Sequence, residues 1–69
     1  MPRFYFHFRD GEVIEDAVGE VLPDLEAARH AARRIVLELE GIQKTPNAAV
    51  VVTDGQRTLF EIAIVERRT

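Results

Sequence analysis

The chain has 69 residues, 46% hydrophobic and 30% charged, with a formal net charge of −3. That length holds one domain, residues 1–69, and the balance fits a folded globular protein rather than a disordered one. Cysteine is absent and there are two histidines far apart, which excludes disulfides and thiolate sites and leaves no structural zinc set.

The first element is read at residues 3–9. Phe4, Phe6 and Phe8 alternate with Arg3, Tyr5, His7 and Arg9, the period of a half-buried strand with its aromatic face inward. Asp10-Gly11 is a turn signal, and a second strand follows over about residues 12–16. A glycine-containing link, Val18-Gly19-Glu20-Val21, leads to Leu22-Pro23. Asp24 is the expected helix N-cap, and Glu26 places negative charge where the helix dipole favours it. Leu25, Ala28, Ala32, Ile35, Leu39 and Ile42 then recur at steps of three and four, with Val36 widening the stripe. Gly41 suits a C′ position, and Pro46 lies beyond the end. A third strand at residues 48–53 and a fourth at 58–67 flank Asp54-Gly55.

The expected fold is α+β: a four-stranded antiparallel sheet with one helix on one face, in the chain order ββαββ. Face parity fixes the turns. Three-residue loops at Arg9-Asp10-Gly11 and Thr53-Asp54-Gly55 keep the apolar residues of each hairpin on one side, with Gly11 and Gly55 in the left-handed position and Val52 opposite Gln56. The expected core is Phe4, Phe6, Phe8, Ile14, Leu25, Ala28, Ala32, Ile35, Leu39, Val50, Val52, Phe60, Ile62 and Ile64. The phenylalanine-rich first strand is expected at the centre, giving the spatial order second, first, third, fourth.

The opposite face carries Arg3, Tyr5, His7, Val13, Glu15, Val51, Leu59, Glu61, Ala63, Val65 and Arg67. Tyr5, His7, Val51, Leu59, Ala63 and Val65 form an apolar patch ringed by charge, the composition of a partner surface. A domain this small buries only about 60% of its unfolded surface, and self-association is the common support left once disulfides and zinc are excluded. Tyr5 and His7, about 6–7 Å apart along one strand, are the residue types of acid–base chemistry, with Glu15 placed to orient the imidazole. Serine and cysteine are both absent, and no catalytic, cofactor or metal residues are assigned. Asp10, Glu12, Glu15 and Asp16 lack calcium-loop spacing and read as solvation of an edge hairpin. Arg29, Arg33 and Arg34, with His30, make a candidate anion or nucleic-acid patch. The competing reading is pairing along the helix: Glu26 with His30 and Arg29, and Arg34 with Glu38. Net negative charge disfavours nucleic acid on bulk grounds. No apolar run nears the roughly 20 residues of a membrane helix, and the N-terminus has no leader layout, so a cytoplasmic setting is expected.

Pro2, Arg3, Phe6, His7 and Arg9-Asp10-Gly11, then Asp16, Gly19, Leu22-Pro23-Asp24 and Ala27-Ala28, and finally Val52-Thr53-Asp54-Gly55, occur in a recognisable order. In them the chain resembles a family of small stand-alone bacterial proteins, a domain of unknown function. The resemblance covers nearly the whole chain and implies an independently expressed domain. It carries no catalytic residues. The short link at residues 43–47 departs from longer members. The functional expectation is a non-enzymatic interaction or regulatory module, homodimeric through the back of the sheet. The alternative is a nucleic-acid-binding module using the arginine-rich helix face.

Overall fold

A computed structural model describes residues 2–41 and 47–64. Its elements are β1 (Arg3–Asp10), β2 (Glu12–Ile14), β3 (Glu20–Val21), α1 (Leu25–Leu39), β4 (Ala49–Thr53) and β5 (Thr58–Ala63). The fold is α+β, one helix on an antiparallel sheet ordered β2-β1-β4-β5, with β3 also paired to β1. The expected order of the four main strands holds. The four-strand count does not: the glycine-containing link supplies a fifth, two-residue strand.

β1 is the hub. One edge pairs with β4, from Tyr5 opposite Thr53 to Arg9 opposite Ala49. The other edge is divided. Phe8 to Asp10 pair with β2, and Arg3 and Phe4 pair with β3. Leu22 N–H extends the β3 side by donating to Pro2 O at 3.1 Å.

The registers keep the expected face parity but differ from the expected pairing. Ile14 lies opposite Phe8, and Val52 lies opposite Phe60 rather than Gln56. Asp54 causes the second difference. Its carboxylate accepts from Gln56 N and Arg57 N, each at 2.9 Å, and its own N–H donates to Arg57 O at 3.2 Å. This closes residues 54–57 as the turn, with a register shift beside Thr53. Gly11 and Gly55 do adopt positive φ. Gly41 does not, and the helix ends at Glu40 in ordinary right-handed geometry.

Asp24 starts the helix as expected. Its backbone is extended, and its carboxylate accepts from Ala27 N at 2.8 Å. Ala28 and Ala32 are fully buried, and so are Val50 and Val52 beneath them. Small side chains on the helix let its backbone lie close to β4, so no large residue is needed to fill the middle. Phe4, Val36, Ala48 and Ile64 complete the buried cluster, with Phe6, Phe8, Ile35, Leu39, Phe60 and Ile62 packed around it. Two expected core residues lie outside. Ile14 is 64% exposed and Leu25 42%. The helix packs over β4 and β5 and leaves the β2 edge uncovered. Ile42 lies outside the described residues.

Asp24→Ala removes an acceptor from the first helical turn and is expected to cost about 1 kcal/mol. Urea unfolding should show a lower midpoint at an unchanged slope.

Candidate functional site

Between β2 and β3 the chain leaves the sheet, and among the described residues no strand pairs with β1 on that edge at Tyr5, Phe6 and His7. Asp16 fills the gap. Its Oδ2 accepts from Phe6 N at 3.2 Å, as a neighbouring strand's carbonyl would. Its Oδ1 accepts from Val18 N and Gly19 N, both at 3.1 Å, which folds residues 16–19 into a tight turn. Asp16 N–H donates to His7 Nδ1 at 2.9 Å. Across the strand, His7 Nε2 lies 3.4 Å from Thr53 Oγ1, which also accepts from Gly55 N at 3.2 Å. A backbone N–H can only donate, so Nδ1 is bare and Nε2 carries the proton. His7 thus ties the 16–19 turn to β4.

Tyr5 stacks beside this imidazole, with ring centroids 6.5 Å apart and planes at 11°. Two glycines of positive φ flank the phenol ring. A Cβ on Gly19 would sit 2.8 Å from Tyr5 Cε2 and 2.9 Å from Phe4 O; one on Gly55 would sit 3.2 Å from Tyr5 Cε1. The approach at Gly19 requires the absence of a side chain, while that at Gly55 is tight against a ring edge.

Further along the face, Arg9 and Glu61 form a two-pronged ion pair, Nη2 to Oε1 at 2.9 Å and Nη1 to Oε2 at 3.3 Å. β4 lies between their strands, so the pair crosses it.

Three carboxylates are held below their ordinary range. At Asp16 burial opposes ionisation, but the N–H groups of Gly19, Phe6 and Val18 outweigh it. At Asp54 the Arg57 and Gln56 N–H groups lower the value. At Glu61 the Arg9 hydrogen bond and charge do so, and Arg9 is raised in return.

The residues expected on the back face therefore divide. Tyr5, His7 and Val51 are half-buried, and Leu59 and Ala63 are exposed. Val65 and Arg67 lie outside the described residues. Glu15 is exposed, and the Asp16 backbone, not the Glu15 carboxylate, orients the imidazole. The role of Asp16 is the residue-level feature that sequence reasoning missed. A signal for it exists: Asp16-Ala17-Val18-Gly19, like Asp54-Gly55, sets an Asx acceptor before a glycine.

The helix arginines also part. The Arg29 guanidinium lies over the Phe60 ring at 4.9 Å, a cation–π contact. Arg34 lines a shallow groove with Ile35, Glu38 and Glu20 of β3, while Arg33 is exposed. His30 pairs with Glu26 at 3.4 Å. Among the described residues no helix is long and apolar enough to cross a membrane, and no three His, Asp or Glu side chains gather as a metal set.

A family model described as a domain of unknown function (DUF6894) matches residues 3–65. The chain belongs to that family. The match spans every strand and the helix, so the Asp16 gap-filler and the Tyr5 clamp both lie inside the family's domain. No curated protein and no solved structure matches the chain significantly.

Gly19→Ala should destabilise this DUF6894 domain by about 1–3 kcal/mol, because strained backbone and a clash with Phe4 O act together. Gly55→Ala should cost less, about 1 kcal/mol, since its nearest contact is a ring edge that can shift. Thermal denaturation of both variants checks the order.

The depressed carboxylates also set the response to acid. A carboxylate whose value is lowered in the folded state contributes stability above its unfolded value of about 3.9 and loses it as pH falls through the folded value. Unfolding free energy should therefore drop below about pH 4. Asp54→Asn and Glu61→Gln should each flatten that limb in part.

Proposed function

We propose that this protein is a non-enzymatic interaction module of the cytoplasm that associates with a second copy of itself through the open face of its sheet. The observation that carries the reading is the one-sided cover. α1 packs on one face, while Val13 (55% exposed), Val21 (44%) and Leu59 (36%) stand exposed with Ala63 on the strands of the other. Register places Val13 beside Arg9 and Val21 beside Arg3, on the side away from Phe4 and Phe8. The same face holds both signs of charge in the Arg9–Glu61 pair. A two-fold axis sets each patch against its own copy, so such a face offers each cation an anion on the partner. Half-burial of Tyr5, His7 and Val51 supports a role in shaping the surface rather than in chemistry.

The alternative, nucleic-acid binding through Arg29, Arg33 and Arg34, has less support. Arg29 is engaged with Phe60, and Arg34 shares its groove with Glu20 and Glu38.

Sedimentation across a dilution series tests the proposal. The expected result is a dimer that dissociates on dilution. Leu59→Glu should raise its dissociation constant at least about tenfold, a cost of about 1.4 kcal/mol, while the circular dichroism of the fold is kept. A strict monomer at high micromolar concentration overturns the reading. Retardation of DNA or RNA that weakens steeply with salt would favour the arginine face instead.

A further inference from the structure

His7 is held by a bond that only one of its protonation states can make. Nδ1 accepts the Asp16 N–H at 2.9 Å, and no rotation turns a backbone N–H into an acceptor. Imidazolium carries a proton on both nitrogens. On the other side of the ring nothing changes, because Nε2 donates toward Thr53 Oγ1 in either state. From this asymmetry we infer that His7 is a one-sided pH latch: its protonation releases residues 16–19 from β1 and leaves the β4 turn in place.

The groups around the ring determine the effect of the added proton. From its own strand the ring is faced by Tyr5, stacked beside it, with Arg9 two residues on. β4 brings Val51 opposite and Thr53, neither charged, and Asp54 comes after Thr53 in the chain. On β5, Glu61 lies opposite Val51 and is bound to Arg9. The loop brings Asp16, with the exposed Glu15 before it. Asp16 thus touches the ring's Nδ1 side through its backbone N–H, and its two carboxylate oxygens already hold Phe6, Val18 and Gly19 N–H. An Nδ1–H that recruits this carboxylate takes it from those three donors. An Nδ1–H that does not recruit it faces the Asp16 N–H head to head. Both routes undo the same turn. They also loosen β3, which begins directly after Gly19, and the Arg3 guanidinium bond to Val18 O.

The transition is separate from carboxylate protonation. It belongs to an imidazole, whereas the depressed carboxylates act below about pH 4. The other imidazole, His30, sits on the exposed face of the helix, paired with Glu26.

Nuclear magnetic resonance on the whole chain tests the latch. At about pH 8 the His7 ring nitrogens should show a bare Nδ1 and a protonated Nε2. Between about pH 8 and 5 the Asp16 amide should titrate together with the His7 ring. Protection factors of the Val18 and Gly19 amides, corrected for intrinsic exchange, should fall at least about tenfold, a change of about 1.4 kcal/mol in opening free energy. Gly55 and Val50 should not move. His7→Asn keeps an acceptor near the Nδ1 position and cannot titrate, so its loop should stay protected throughout. A protonated Nδ1 at the alkaline end overturns the latch without recourse to any variant. So does an Asp16 amide indifferent to the His7 titration, or an equal loss of protection in His7→Asn.

Discussion

The structure depends on how the second edge of β1 is closed. A central strand needs partners on both sides, because buried backbone groups left unpaired cost as much as lost hydrogen bonds. β4 supplies a full ladder on one side. On the other side two short strands cover the ends, and a single carboxylate covers the middle. That carboxylate must remain ionised to accept several N–H donors, and its turn must remain tight to hold it in place. The glycine at position 19, the imidazole at position 7 and the Tyr5 ring all answer to that one replacement of a strand by a side chain.

The helix answers a different constraint. It has only fifteen residues to cover the sheet. Alanines at 28 and 32 bring it close to Val50 and Val52, which concentrates burial along β4 and leaves little for the β2 edge. Ile14, the apolar residue of that edge on the helix side, is the counterpart of a helix placed off-centre. Arg29 partly offsets this at the opposite margin by covering Phe60 with its guanidinium.

Much of this is legible in the residues. The Asp24 cap, the three- and four-residue steps of the helix and the phenylalanine alternation each encode a local geometry, and each forms where expected. Strand order is consistent with the apolar weight of β1. What is not legible depends on contacts between segments. Glu20-Val21 is too short to show a period and is a strand only because Arg3 and Phe4 lie beside it. The register of the second hairpin depends on Asp54 folding back on Gln56 and Arg57. Ile14 and Leu25 fit an apolar face, but their exposure is set by where the helix axis lies over the sheet. Asp16 sits among acids that read as solvation, and its partner, the Phe6 N–H, is ten residues away. The gap-filling role therefore stays hidden in the sequence even though the alternation already places Tyr5 and His7 side by side.

The glycine clamp around Tyr5 has an optical consequence. The chain contains one tyrosine and no tryptophan. All of its tyrosine and tryptophan fluorescence therefore originates from a ring flanked by the 16–19 turn on one edge and the Asp54–Gly55 turn on the other. The protein carries its own reporter at the junction between two of its tightest turns. Emission yield and near-ultraviolet dichroism from that single chromophore read the state of the junction directly, without label or substitution.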